Sequence, residues 1–579
     1  MQPRPSTSTL TIVARDPGVL RDGQVLLSQV EVPYETLSEG PRGCRLNIID
    51  VDTGTGAVYR PHTKPGDDPF QRWYKDPSLD RDKLLADPRF HQQNAYAIAM
   101  RTLGVFERAL GRRVPWGFAG HQLRIAPHAF IDANAFYSRD DEALLFGYFE
   151  AKQRGRGSAA RPRYIFTALS HDVVAHETTH AIVDGLRPWY LDPSSADQGA
   201  FHEAFADVVA ILSVFSLPEI VGTLLERAHS NGKSRARNGP DPRLNADLLK
   251  PEELKKSILL AIGNQMGEAM IGRDQPLRRS AELPPATDYL SRPEFQEAHR
   301  RGEVLVAAVL YAFLHVWTDR LSRIVDRRTN TVSQDRAVDD GAGAAERLLR
   351  SSIRALDYAP PVDLTFSDFL SALLTADREI HPQDDAYRRL LRKAFAAYGI
   401  KPVTRHGYWD PPSEETGLEA VHFDAMQRDP TEVFRFIWEN RTELNIAEGP
   451  STQVTWVRPC IRVASDGFVL RETVAEYVQR LTLRAEAMPT ESRPDVPSEL
   501  QVDLVGGGTL VFNEFGALKY HVQNRLFSKL QKQRVEYLWR QSGVGDREAI
   551  RGAATFSDLH RRRMSGIAFG LQRRRTDAS

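Results

Sequence analysis

The chain opens with short runs in which apolar and β-branched residues alternate with polar ones, as in TLTIVAR, GQVLLSQVEV and CRLNIIDVDTGTGAVY, the last with a turn at Asp52 to Gly56. That period of two predicts a β-rich start up to about residue 85. The spacing lengthens at HQQNAYAIAMRTLGVFERALG, which predicts a helix, and shortens again for a strand pair around HQLRIAPHAFIDANAFYS and EALLFGYFE. From Ser170 to about Pro402 the pattern is mostly helical, broken by polar loops such as HSNGKSRARNGPDPRLN and DRRTNTVSQDRAVDDGAG.

After Pro402 the character changes. Strand-like TQVTWVRPCIRV, ETVAEYVQRLTLRA and GGGTLVF precede a helix near Phe515 to Gln541, which predicts a separate C-terminal domain. No Lys-Ser/Thr follows Gly506 to Gly508, so these glycines read as a tight turn entering a strand and not as a phosphate cradle. Lys152 to Arg163, KQRGRGSAARPR, reads as a solvated loop open to proteolytic nicking in preference to a contact for an acidic partner.

Length and composition narrow the function classes. A chain of 579 residues exceeds one ordinary core and should divide into about two to four domains. Lys plus Arg and Asp plus Glu both number 76, so no global field draws nucleic acid or an anionic membrane. Cys44 and Cys460 are too few for a thiolate zinc site or a disulfide framework, so a metal here must use His and carboxylates. The N-terminal residues lack a secretory apolar core, and the longest apolar stretch, Val304 to Trp317, is shorter than a membrane span and contains His315. The expectation is a protein that is cytoplasmic at first synthesis, with signal-independent export left open.

The candidate chemistry lies in SHDVVAHETTHAIVDGL, Ser170 to Leu186. A helix with Ser170 as N-cap and Gly185 as its stop points His176 and His180 the same way, with Glu177 about a hundred degrees round the axis. This is HExxH, two imidazole ligands and a carboxylate placed to act on the water that a metal holds. Asp172 and Asp184 continue the stripe in orienting or capping positions.

A second helix, DQGAFHEAFADVVAIL, is apolar except at His202, Glu203 and Asp207, and buried carboxylates are costly unless paired or metal-bound. Glu203 supplies a third ligand and leaves one tetrahedral position open, as in a catalytic zinc site. Asp207, one turn on, could accept the outer N–H of a ligand histidine.

Together, DVVAHETTHAIVD and GAFHEAFAD resemble the thermolysin family of zinc endopeptidases, and the resemblance runs from about residue 85 to 402. It implies an α+β fold with a two-lobe catalytic unit: a β-rich N-terminal lobe over residues 1–190 ending in the HExxH helix, then a helical lobe over 191–402. A mixed α/β domain, 403–579, is appended. NAFYS resembles the family's edge strand, which implies that the Asn134 side chain and the Ala135 carbonyl hold the substrate backbone. PLRRS implies a substrate contact for Arg278, and PEFQEAHRRGEVLVAAVLYAFL implies that His299, partnered by Glu294, stabilises the oxyanion.

Tyr190 is placed as the family's oxyanion tyrosine. His202 stands where the family has an Asn that supports a ligand histidine. Asp172 matches a calcium ligand, but VVAILSVFSLPEIVG lacks the acidic cluster that completes that site. The expected activity is zinc-dependent hydrolysis of peptide bonds with Glu177 as general base, on peptide or protein substrates. Two alternatives stay open: a selective processing protease restrained by its C-terminal domain or by a regulatory partner, and a metal-stabilised scaffold that binds peptide without cleaving.

Overall fold

A computed structural model describes residues 6–541 apart from 19, 22, 53, 63–67, 151–163, 193, 232–241, 263–279, 404–417, 419–421 and 465. Among these described residues the fold is mixed, 47% helical and 24% strand. The basic segment Lys152 to Arg163 and Arg278, expected to contact substrate, lie outside the described residues.

Strands β1 (Thr7–Val13) and β2 (Leu27–Pro33) pair antiparallel, and β3 (Leu46–Ile48) begins a larger sheet. Helix α1 (Pro88–Leu110) follows. Asp87 caps it by accepting the Arg89 N–H, Pro88 occupies its first turn, and Gly111 ends it at φ 68°, where a side chain would be strained. The helix is almost wholly buried, and its polar residues satisfy neighbouring main chain: Asn94 accepts the Val13 N–H at 2.9 Å and donates to the Ala168 carbonyl at 2.8 Å.

Around α1 the sheet is completed by β4 (Leu123–Ile131), β5 (Ala135–Ser138), β6 (Ala143–Glu150) and β7 (Tyr164–Phe166). β4 runs parallel to both β3 and β6, while β5 and β7 lie end to end, antiparallel, on the other side of β6. The expected strand pair is thus three strands, because the chain turns at Asp132 to Asn134 and returns as an edge.

Helix α2 (His171–Leu186) and helix α3 (Ala196–Phe215) carry the two chemistry-bearing motifs, and both are buried along nearly their whole length. Ser170 precedes α2 but does not cap it with its side chain, which bonds Asp172 instead, and the helix runs one residue past Gly185. Behind them lie α4 (Ala298–Ile324), α5 (Gln334–Ala355) and α6 (Phe366–Ile380). α3 and α4 are long and apolar enough to cross a membrane, but 94% and 72% of those windows are buried inside the protein.

The C-terminal part places α7 (Pro430–Glu439) on a four-stranded antiparallel meander: β8 (Ser451–Val463), β9 (Val469–Arg484), β10 (Gln501–Asn513) and β11 (Leu518–Asn524), followed by α8 (Lys529–Gln541). The expected helix near Phe515 is therefore a hairpin with β11 before the helix begins. Side chains alternate between two cores. Leu510 and Phe512 join Val433, Phe436 and Ile437 of α7, whereas Val474, Val511, Tyr520 and Val522 join the main core of the rest of the chain. Gly506 to Gly508 lies inside β10 and is no turn. A Cβ on Gly507 would stand 2.6 Å from the Tyr477 carbonyl oxygen and one on Gly508 2.6 Å from the Tyr477 hydroxyl, so glycine here permits close approach.

Candidate metal centre

The i, i+4 spacing on α2 sets Nε2 of His176 and Nε2 of His180 only 2.9 Å apart. From α3, Glu203 brings Oε2 to 3.5 Å from His176 Nε2 and Oε1 to 3.8 Å from His180 Nε2. Among the described residues these three form the one group of His, Cys, Asp or Glu whose donor atoms converge as metal ligands would, all within 4.8 Å of one another.

The outer nitrogens are occupied. His176 Nδ1 lies 2.9 Å from Asp207 Oδ1, and His180 Nδ1 lies 2.8 Å from His202 Nδ1 with the two rings stacked. If each Nε2 is to give its lone pair to an ion, each Nδ1 carries the proton and donates it outward. Asp207 accepts it as an anion. His202 must then accept at Nδ1 and hold its own proton on Nε2.

The electrostatics favour a cation at this point. Burial opposes charge on His176, but the hydrogen bonds it donates to Asp207 and Glu203, with the charges of Asp207 and Glu177, outweigh it and hold its pKa well above the ordinary histidine value. Asp207 is shifted upward, chiefly by its own burial, even though His176 and His299 pull the other way. Two imidazoles, one carboxylate and a surplus of negative charge match zinc in donor type and number.

Glu177 is buried at 4% exposure, and its Oε2 accepts the backbone N–H of Tyr137 at 3.0 Å. That N–H points away from β6, as does Ala135 two residues earlier, so the free side of β5 faces α2. The Ala135 N–H is taken by the Asn134 side-chain oxygen at 2.7 Å. The Asn134 carbonyl accepts the Gly147 N–H at 2.9 Å. Asn134 thus shapes the edge strand through its own main chain.

Four expected roles are corrected. Tyr190 is 1% exposed and its hydroxyl donates to the Pro360 carbonyl at 2.7 Å, which uses its one proton in the interior and leaves none for an oxyanion. Asp184 does not reach His176, His180 or His202. It is fully buried and accepts from the Tyr137 phenol at 2.7 Å and from Arg139 Nε at 2.8 Å, so it anchors the edge strand. The carboxylate beside His299 is Glu297, with Oε1 3.5 Å from His299 Nδ1, and Glu294 is exposed on the preceding turn. Glu297 caps α4 through the His299 and Arg300 N–H groups, and a cap three residues closer displaces Glu294.

Asp172, the calcium candidate, accepts from Ser170 Oγ and the Val173 N–H and lies 3.5 Å from the Arg15 guanidinium, so an arginine stands where a cation would be needed.

Sequence reasoning missed Tyr137 and Arg139, although both fall in or beside NAFYS; a strand period would have put the Ala135 and Tyr137 amides on one edge. A cavity of about 830 Å³, lined in part by Leu85, Phe166 and Leu169, contains none of these groups. Convergent donors, not cavity size, mark the site. No family model and no curated protein matches the chain, so the side-chain arrangement alone carries the functional reading.

Proposed function

We propose that the chain is a zinc-dependent metallopeptidase of thermolysin-like architecture that hydrolyses peptide bonds. The observation that carries this is the convergence of His176, His180 and Glu203 within 4.8 Å, with the Glu177 carboxylate one residue from the first ligand and turned toward a sheet edge. A pure binding site has no use for a base at that place.

His176, His180 and Glu203 would hold the ion, and zinc so bound supplies electrophilic activation of a water and of the scissile carbonyl. Glu177, with Oε2 fixed by Tyr137, takes a proton from that water as its oxygen bonds to the carbonyl carbon. It then gives the proton to the amide nitrogen as the C–N bond breaks. The outward side of β5 offers the Ala135 carbonyl to an extended peptide as an added strand. His299, within electrostatic reach of Asp207, would donate to the oxyanion, a contact worth on the order of 3 kcal/mol in comparable sites.

The test is elemental analysis of the purified full chain, paired with cleavage of an unfolded protein with and without a chelator. One zinc per chain and chelator-sensitive cleavage are expected. Zinc without cleavage would point to the peptide-binding scaffold, and no zinc would overturn the reading.

A further inference from the structure

The segment between α5 and α6, Leu356 to Leu364, is buried at every residue, and both metal-bearing helices and the C-terminal sheet bond to it. From the catalytic side, Arg187, which follows α2 directly, donates to the Leu356 carbonyl, and Tyr190 donates to the Pro360 carbonyl. At the start of α3, Gln198 Oε1 accepts the Leu364 N–H at 3.0 Å and Asp197 accepts the Phe366 N–H at 3.0 Å.

From the C-terminal side, Thr509 Oγ1 donates to the Ala359 carbonyl at 2.8 Å. Asn524 donates to the Val362 and Asp363 carbonyls at 2.8 and 3.2 Å, and the Tyr358 hydroxyl donates to Glu472 at 2.6 Å. Gly507 leaves room for Pro361, whose Cγ would stand 3.0 Å from a Cβ there. Asp363 sits at φ 53°, a backbone conformation kept where surrounding bonds fix it. A direct link also bypasses the strap: Arg187 pairs with Glu476 of β9, both buried.

We propose that the C-terminal sheet positions the metal centre through the Leu356–Leu364 strap and through the Glu476–Arg187 pair beside it, with Thr509 and Glu476 as the positioning residues. The strap joins the end of α2 to the start of α3, so it sets the relation between the two histidines and Glu203. Removing its bonds to the sheet loosens that relation while leaving the ligands themselves in place.

This rests on the metallopeptidase reading of the site, and therefore one readout needs metal and one does not. Thr509→Val and Glu476→Gln are made in the full chain. Zinc affinity is measured by competition with a chelator, and amide exchange is followed in the metal-free protein. Expected are zinc affinity lower by about tenfold in both and faster exchange at the end of α2 and the start of α3, with β3, β4 and β6 unchanged.

Wild-type zinc affinity and exchange in folded Thr509→Val would overturn the positioning role, and that variant decides alone if Glu476→Gln does not fold. A wild type that binds no zinc removes the metallopeptidase reading, whereas the exchange comparison still decides the strap.

Discussion

The backbone N–H of Tyr137 lies 3.0 Å from Oε2 of Glu177, and the phenol of the same residue donates to Asp184 at 2.7 Å. One residue of the edge strand therefore holds the carboxylate beside His176 and a buried carboxylate two turns further along the same helix. The strand that would receive substrate and the helix that would act on it are fixed to each other by main chain, so a side-chain change at Tyr137 cannot remove the bond to Glu177.

Glu177→Gln presents an amide oxygen to the same Tyr137 N–H and keeps the local geometry, but it cannot take a proton. We expect zinc content to be unchanged and cleavage to fall by about 10²- to 10⁴-fold. Rates on an unfolded protein substrate, with metal content measured on the same sample, check this. Cleavage at the wild-type rate would remove Glu177 from the chemistry.

Tyr137→Phe leaves the Glu177 bond intact and removes one donor from Asp184, which Arg139 continues to hold. A buried carboxylate short of one partner costs about 1–3 kcal/mol. The expected outcome is a lower denaturant midpoint with zinc affinity retained, read from urea unfolding and chelator competition. A loss of zinc would show that the edge strand also sets the metal ligands.

Asp207→Asn keeps the size of the side chain and can still accept from His176 Nδ1, but it removes the negative charge that holds that imidazole's proton. Zinc affinity should fall by about 10- to 100-fold. His202→Ala removes the partner of His180 and should act in the same direction. Chelator competition measures both, and unchanged affinity in the pair would mean that the outer bonds do not orient the ligands.

What the sequence made legible followed from local spacing. The i, i+4 histidines, the buried acidic helix after them and the period-two runs of both sheets all appear in the structure where pattern placed them. What escaped it depends on distant partners. Tyr190 turns inward because a carbonyl 170 residues later accepts its proton, and Asp184 serves the edge strand because Tyr137 and Arg139 lie across from it. Gly506 to Gly508 looks like a turn in one dimension, but it is a strand thinned to admit Tyr477 and Pro361. Glu294 and Glu297 are equally plausible partners for His299 until the first turn of α4 is fixed.

A C-terminal domain that merely restrains the site would be removable near Pro402 with a gain in activity. The structure gives the opposite expectation. Cutting there strips Glu476 from Arg187 and Arg462 from Asp357, and uncovers the part of the core that Val474, Val511, Tyr520 and Val522 pack against. Breaking one buried ion pair costs about 3–5 kcal/mol, a large share of the stability of an ordinary domain. Residues 1–402 expressed alone should be insoluble or unfolded by circular dichroism; a soluble fragment with raised cleavage would restore the restraint reading.

Acid sensitivity follows from histidines outside the metal centre. Burial pushes the pKa of His91 and of His171 down to about 3 and that of His521 down to about 4. Each is neutral in the folded chain, whereas in the unfolded chain it takes a proton near the ordinary value of about 6.5. A base whose folded pKa is depressed contributes stability that is complete above the unfolded pKa and is lost as pH falls toward the folded one. Between about pH 6 and 4 each such histidine removes about 1.4 kcal/mol per pH unit. Urea unfolding of the metal-free protein, with chelator present throughout, should therefore show stability falling steeply from pH 6 to pH 4. His171, held between the Ala14 carbonyl and Ser213 Oγ, can be replaced by Gln, and the slope of that variant should be shallower by about one proton. An unchanged slope would mean that His171 is already protonated in the folded chain.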